Sequence, residues 1–205
     1  MPAEARERIK RHVESGLRAR ENFFAQHEDT VIEAARTIAV RLARGGKVLF
    51  CGNGGSAADA QHLTGEFVNR YKINRPPLSA IALHADTSVM TAIGNDFSFD
   101  EVFSKQVQAH GRPGDVLVGI STSGGSANVI RAMKAARERE MTVIGFTGRD
   151  GGAMAPLCDI LLNVAEQDTP IVQEVHIAIG HLICELVDYY LFENALALAP
   201  YLEAE

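Results

Sequence analysis

The sequence predicts an α/β fold: a three-layer sandwich in which a five-stranded, doubly wound parallel sheet lies between helices. Two observations support this prediction. Short apolar segments alternate with helical patterns along most of the chain, and two of those segments run directly into turns rich in glycine and hydroxyl residues. Apolar segments without a strict two-residue alternation are typical of parallel strands that are covered on both faces. The 205 residues are enough for one such domain with a helical extension.

The N-terminal residues are predicted to form two helices, over 3–25 and 28–44. In the second, Val31, Ile38 and Leu42 recur at helical spacing, and Gly45-Gly46 ends the pattern. We therefore expect residues 1–45 to be an N-terminal helical extension that packs on the domain or on another subunit. Residues 46–205 are expected to form the α/β domain itself.

The expected strands of this domain are all short and apolar, and they cover residues 47–51, 79–83, 115–120, 141–146 and 158–164. Helices are predicted between and after them, over residues 56–70, 86–94, 100–109, 126–139 and 170–193. Sheets of this kind bind ligands at the carboxyl ends of their strands, beside the point where the strand order reverses.

The composition restricts the classes of function. A formal net charge of -6 lacks the basic footprint needed for non-specific nucleic-acid binding, so no nucleic-acid partner is expected. The charged N-terminus has no apolar signal-peptide core, and no uninterrupted apolar run approaches the ~20 residues that span a bilayer. We expect a cytoplasmic protein with no membrane association, in which any anion site is built locally from backbone N–H groups and helix ends.

The first candidate site is the turn over residues 51–58, Cys-Gly-Asn-Gly-Gly-Ser-Ala-Ala, between a strand and a helix. Its glycines allow positive φ and close approach of a ligand to the backbone. Ser56 is placed to cap the following helix. The pattern is neither a dinucleotide fingerprint nor a Walker loop. A plain glycine turn is the alternative interpretation.

The second candidate site is the turn over residues 120–128, again between an apolar strand and a helix. Four hydroxyl residues lie in it: Ser121, Thr122, Ser123 and Ser126. Hydroxyls and backbone N–H groups bind phosphate without a cation. A run of helix-capping residues would be the alternative, although one cap needs only one hydroxyl.

Further candidates lie on helices. His62 and Glu66 are four residues apart, which places them on one helix face. The last helix carries Gln173 and His181, together with His176, whose spacing matches core neighbours and predicts a structural role. The Gly94-Asn95-Asp96 segment ends a helix, where Asp96 can hold substrate hydroxyls; a helix cap is the alternative for Gly94 and Asn95.

Taken together, these motifs resemble the sugar isomerase (SIS) domain family. The likeness covers nearly the whole chain, and within the family it is closest to the isomerases of sedoheptulose 7-phosphate. Six segments in the same order carry it: residues 51–62, 69–76, 94–107, 111–129, 147–155, and the pattern of Gln173, Glu174 and His181.

The resemblance implies a homotetramer with active sites between subunits. The implied reaction converts sedoheptulose 7-phosphate to D-glycero-D-manno-heptose 7-phosphate for bacterial surface heptoses, including those of lipopolysaccharide. Glu66 and His181 match the family's catalytic pair. The phosphate-binding positions match Ser121, Thr122, Ser123 and Ser126. The other substrate-binding positions match Asn53, Gly54, Gly55, Glu66, Asn95, Asp96 and Gln173.

The resemblance also implies one zinc ion per subunit, bound by His62, Glu66, Gln173 and His181. Gln173 and His181 are eight residues apart, or ~12 Å along a continuous helix. They can share one ion only if the helix start is irregular or if they come from different subunits. Many relatives have arginine where this chain has Ile171, which bears on substrate preference.

Three other functions remain open. Some family members resemble regulators that bind the replication initiator protein without catalysis, but this chain keeps Glu66 and His181. A sugar-phosphate sensor would usually add a DNA-binding domain, for which the chain has no evident room. Another isomerase or an aminosugar enzyme of the same fold is the third.

Overall fold

The computed structural model describes residues 3–203, and its centre is a five-stranded parallel sheet. The strands are β1 (Val48–Gly52), β2 (Ala80–Ala82), β3 (Val116–Ser121), β4 (Thr142–Gly148) and β5 (Ile160–Val164). Their order in the sheet is β2-β1-β3-β4-β5. The chain therefore leaves β1 towards one edge and returns to its other side as β3, which places the switch point between β1 and β3.

Helices cover both faces of the sheet. They are α1 (Ala3–Ala43), α2 (Gly55–Val68), α3 (Thr87–Asp96), α4 (Ser104–His110), α5 (Ala127–Glu138), α6 (Thr169–Asp188) and α7 (Ala199–Glu203). Short 3-10 turns occur at Phe99–Glu101, Gly152–Leu157 and Ala195–Ala197. The predicted three-layer α/β fold and its five parallel strands are confirmed.

The two helices expected over 3–25 and 28–44 are confirmed, because α1 is divided at His27, whose φ of -127° and ψ of 17° are not helical. Two other predicted helices differ from the structure at their ends or joints. The helix expected over 100–109 splits into a 3-10 turn and α4. The last helix ends at Asp188, and the next five residues, Tyr189–Glu193, form a π-helical turn.

The core has one part on each face of the sheet. On the first face, α1, α2 and α6 bury side chains such as Ile38, Phe67 and Ile179 against the strands. On the second face, α4 and α5 bury Val107 and Met133. The second half of α1 thus packs into the core of the α/β domain, while the division at residue 45 stays a prediction.

The segment Thr169–Glu193, which begins with α6, is long and apolar enough to cross a membrane by length and composition alone. Polar residues such as Gln173, Glu174 and His181 interrupt it, in agreement with the absence of a long uninterrupted apolar run from the sequence. Its apolar residues, including Ile171, Val175 and Ile183, are buried in the first part of the core. The hydropathy of the segment is accounted for by packing between α1, α2 and the sheet.

Candidate active site

The glycine turn after β1 begins the site. Gly54 has φ of 55° and ψ of -121°, which favours glycine, and α2 begins at Gly55. A Cβ on Gly52 would lie 2.7 Å from the Ser56 carbonyl oxygen, so the turn cannot accept a side chain there. The prediction that Ser56 caps α2 is wrong. Gly54 is at the N-cap, and Ser56 is buried in the first helical turn because the two glycines start the helix earlier.

The hydroxyl turn after β3 lies beside it. Ser121 Oγ is 2.8 Å from Ser126 Oγ and 3.4 Å from Ser123 Oγ, and Ser123 Oγ accepts a hydrogen bond from the Gly125 N–H at 3.2 Å. Ser126 is the N-cap residue of α5, but its hydroxyl makes no cap bond. These hydroxyls therefore lie at the start of α5, and the N-terminus of a helix is a position that favours an anion.

Gly124 fixes the shape of this turn. Its φ is 63°, and a Cβ there would lie 2.1 Å from the Gly151 carbonyl oxygen. The turn after β3 is thus pressed against the turn after β4.

A pair of amides joins the two turns. Asn53 Nδ2 donates to Asn128 Oδ1 at 2.8 Å, and Asn128 Nδ2 donates to Asn53 Oδ1 at 2.9 Å. Asn128 is buried, and its Oδ1 also accepts from the Val129 N–H. The sequence analysis gave Asn128 no role. The signal in the sequence was an amide side chain two residues after the last of the four hydroxyls.

His62, Glu66 and His181 meet where α2 and α6 pack together. The Nε2 atoms of His62 and His181 are 2.8 Å apart, and Glu66 Oε1 is 3.4 Å from His62 Nε2. One ring must donate and the other accept, so at least one is neutral. The pKa of His181 is lowered, first by burial and then by His62, while Glu66 opposes this. A neutral imidazole beside a carboxylate can move protons in both directions.

Gln173 lies on the same helix as His181 but contacts a different part of the site. A Cβ on Gly55 would be 2.2 Å from Gln173 Nε2, so this amide covers the start of α2. Helix α6 is continuous from Thr169 to Asp188, so the irregular start that would bring Gln173 to His181 is not present. Among residues 3–203, the Gln173 side chain makes no hydrogen bond to His62, Glu66 or His181.

Asn95 and Asp96 end α3 and are exposed, with Asn95 Nδ2 donating to Asp96 Oδ1 at 2.9 Å. Helix α3 continues through both residues, and Phe97 is its C-cap, so the predicted cap at Gly94 and Asn95 is displaced. Within residues 3–203 no hydrogen bond joins either side chain to the glycine turn.

Comparison with known proteins decides the family. The SIS domain family model matches residues 12–148. A phosphoheptose isomerase of Nitratidesulfovibrio vulgaris (strain Miyazaki F) is 59% identical over 205 residues, which cover 100% of this chain and 99% of that protein. The chain belongs to the SIS domain family.

Solved structures support the same assignment. A phosphoheptose isomerase from Neisseria gonorrhoeae superposes with a TM-score of 0.85 at 50% identity, over 90% of this chain and 98% of that one. One from Francisella tularensis gives a TM-score of 0.87 at 38% identity, with the same coverage. As a member of this family, and on these relatives, the chain is an enzyme of the isomerase class.

The SIS resemblance implies four zinc ligands, and their side chains differ in how close together they lie. Among residues 3–203, no three His, Cys, Asp or Glu side chains are arranged as ligands around an ion. His62, Glu66 and His181 nevertheless bring two imidazole nitrogens and a carboxylate to one point, and this donor set suits zinc. The donor types fit, although the two histidines are hydrogen bonded to each other.

Proposed function

We propose that this enzyme is a sugar-phosphate isomerase that converts sedoheptulose 7-phosphate to D-glycero-D-manno-heptose 7-phosphate, for bacterial surface heptoses. The observation that carries the proposal is the contact of His62, Glu66 and His181 at the α2–α6 junction. These three side chains supply the acid–base groups, and the hydroxyl turn after β3 supplies a site for the phosphate. The relatives reported above are named phosphoheptose isomerases, which supports the proposal.

Moving a carbonyl from C2 to C1 needs several proton transfers. A base removes a proton from C1 while the C2 oxygen gains one, which gives an enediol(ate). A proton then returns to C2, and the C1 hydroxyl loses its proton to become the new carbonyl. Glu66 is the group for the carbon proton, because it is a carboxylate with only 22% of its side chain exposed. His181 serves the oxygens, because its lowered pKa favours the neutral ring at neutral pH.

The other predicted residues position the substrate. Ser121, Thr122, Ser123 and Ser126 bind the phosphate with the N-terminus of α5, which requires no cation and suits a protein of net charge -6. The sugar hydroxyls are left to Asn53, Gly54, Gly55, Asn95, Asp96 and Gln173. Binding the phosphate far from C1 and C2 places the reacting carbons without contributing to the chemistry itself.

Zinc is part of the proposal. His62, Glu66 and His181 would hold the ion, with Gln173 as the fourth ligand only if a shift or a second subunit brings it closer. When bound, zinc would stabilise the negative charge of an enediolate. The chain's own residues still hold and move the protons.

The assembly and location follow from the same proposal. A homotetramer would place active sites between subunits and add residues that one chain lacks. A cytoplasmic location fits an enzyme that acts on a phosphorylated sugar.

The test is direct conversion, followed by NMR, of sedoheptulose 7-phosphate by the purified protein with zinc, without zinc and with a chelator. Formation of the aldoheptose phosphate that rises with zinc supports both enzyme and metal. Conversion that is unaffected by zinc and by the chelator would support the reaction and contradict the role of the metal. Binding without conversion would favour a non-catalytic regulator, and no binding would mean that the substrate is wrong.

Two variants test the assigned roles. Glu66→Gln and His181→Ala should each abolish turnover while the circular dichroism spectrum and the unfolding midpoint stay close to those of the wild type. The control is His110→Ala, which removes an exposed histidine at the end of α4. Activity retained in Glu66→Gln or His181→Ala would rule out the mechanism.

A further inference from the structure

The segment 69–76, here called the strap, connects α2 towards β2 without regular secondary structure. A backbone hydrogen bond from the Leu78 N–H to the Phe67 carbonyl oxygen, at 3.1 Å, closes its base. The strap makes no strand-pairing hydrogen bonds with the sheet within the described residues, so its conformation depends on the contacts of its side chains.

Three strap side chains contact one face of α6. The Tyr71 ring stacks on the His181 ring, with centroids 5.7 Å apart and planes at 22°. Lys72 Nζ is 2.7 Å from Glu185 Oε2, and Arg75 Nε donates to Asp188 Oδ1 at 2.8 Å. Residues 181, 185 and 188 are spaced four and three apart, which places them along a single helix face.

Arg75 also contacts the end of α2. Its Nη2 donates to the Glu66 carbonyl oxygen at 2.8 Å and its Nη1 to the Phe67 carbonyl oxygen at 2.7 Å. These carbonyls are among those that a helix end leaves without internal partners. The Arg75 and Asp188 side chains are only 2% and 4% exposed. One buried guanidinium therefore links the backbone of Glu66 to the helix that carries His181.

The strap thus contacts the ring of His181 and the backbone of Glu66, the two members of the acid–base pair. Tyr71 covers one face of the His181 ring, while His62 approaches its edge at an interplanar angle of 74°. The ring of His181 is held between the two, and so its Nε2 atom is directed to one place. The titratable groups that interact with this ring are His62, Glu66 and Lys72.

We propose that the strap is a positioning element for the acid–base pair: Tyr71 fixes the orientation of the His181 ring, and Arg75 with Asp188 fixes the approach of Glu66. This inference rests on the proposed function for its kinetic consequence. Its structural consequence, the orientation of His181, is independent of turnover. A misplaced acid–base group lowers the rate of the chemical step more than it weakens substrate binding.

The experiment compares Tyr71→Leu with Tyr71→Phe. Phenylalanine keeps the ring that stacks on His181, whereas leucine removes it at similar burial. We expect Tyr71→Leu to lower kcat about tenfold or more with little change in KM, and Tyr71→Phe to stay close to the wild type. Asp188→Asn, which keeps the shape but removes the charge facing Arg75, should lower kcat in the same way.

The control is Arg137→Met. Arg137 is on α5, outside the site, and the substitution breaks its ion pair with Asp159. It should leave kcat and KM unchanged. Each variant is first checked for an unchanged circular dichroism spectrum. Should Tyr71→Leu fail to fold, the comparison of Asp188→Asn with wild type decides.

A second readout does not need turnover. The ring protons of His181, assigned in protein with labelled histidine by comparison with His181→Ala, sense the ring current of Tyr71. Their resonance should move in Tyr71→Leu and stay in Tyr71→Phe. Equal kcat in Tyr71→Leu and wild type, or an equal loss in the leucine and phenylalanine variants, would overturn the proposal. A wild-type protein without turnover would contradict the proposed function. If the His181 resonance also stayed unmoved in Tyr71→Leu, the positioning role of the strap would be contradicted as well.

Discussion

At the scale of single residues, His176 has the environment predicted for a structural histidine. It is 1% exposed, and its Nε2 lies 2.9 Å from the Thr147 carbonyl oxygen. Its Nδ1 is buried and has no hydrogen-bond partner within residues 3–203. Burial lowers the pKa of His176 from 6.5 to about 4. The folded protein therefore holds this ring neutral, with Nε2 as the donor to Thr147.

This pKa predicts a loss of stability in acid. Between pH 6.5 and about 4 the unfolded state binds a proton at His176 that the folded state refuses, so the free energy of unfolding falls as the pH falls. The loss at pH 5 is roughly 2 kcal/mol. Urea unfolding at pH 7.5 and pH 5 measures it.

The matched variant is His176→Gln, which keeps a donor for the Thr147 carbonyl but does not titrate. It should lose less stability than wild type between the two pH values. Asp59, whose pKa is raised to about 6 chiefly by burial, acts in the opposite direction below that pH in both proteins. The difference between the two proteins therefore reports His176 alone, and identical pH slopes would contradict the assignment.

Asn128 carries a second residue-scale prediction. Replacing it with alanine leaves the Asn53 amide without its two hydrogen bonds and the Val129 N–H without its side-chain acceptor. We expect Asn128→Ala to lower the free energy of unfolding by about 1–3 kcal/mol and to raise KM. Denaturant unfolding and steady-state kinetics measure both. Asn22→Ala, at an exposed position on α1, is the control, and equal behaviour of the two variants would refute the link.

At the scale of elements, the packing of α2 on α6 determines where the proposed acid–base pair lies. Gly180 is at the closest point, where an added Cβ would lie 2.6 Å from Leu63 Cδ2. The residue on α6 next to Gly180 is His181, and Leu63 follows His62 on α2. The absence of one side chain thus allows His62 and His181 to touch.

Gly180→Ala should therefore push α2 and α6 apart, lowering kcat and stability together. Overpacking of this kind costs about 1–3 kcal/mol. Adding Leu63→Ala makes room for the new methyl group, so the double variant should recover part of the kcat lost by Gly180→Ala. Additive losses would show that the two residues are not coupled. Gly65→Ala, which has no atom within 4 Å of the added Cβ, is the control for stability.

The elements themselves were largely predictable from the sequence. Strands and helices differed from expectation by a few residues, because apolar periodicity fixes the middle of an element better than its end. The contacts of the strap were not predicted, since they join residues more than a hundred positions apart by ring stacking and ion pairs. The two histidines of the site were found by motif, but their direct contact depends on Gly180, whose role follows only from packing.

At the scale of the whole molecule, one side of the N-terminal half of α1 is apolar and exposed. Ile9, Val13 and Leu17 are 66%, 52% and 59% exposed and are spaced four residues apart, which places them on one face. The proposed homotetramer would give this face a partner.

Serine at all three positions should therefore weaken the assembly. Light scattering after size-exclusion chromatography should give four times the 22.2 kDa chain mass for the wild type and a smaller mass for the triple variant. Serine at exposed Glu7, Lys10 and Glu14 of the same helix is the control. A monomeric wild type would remove the tetramer from the proposal, and a tetrameric triple variant would show that this face is not the interface.

The reciprocal amide pair between Asn53 and Asn128 also has a consequence for how ligands are selected. It joins the turn after β1 to the turn after β3 by two hydrogen bonds, which hold the two turns in one relative position. In the proposed function, a sugar phosphate would therefore meet two turns whose relative position is set before it binds. Selection between sugars of different chain length would then depend on the distance between the proposed phosphate-binding turn and the proposed acid–base pair.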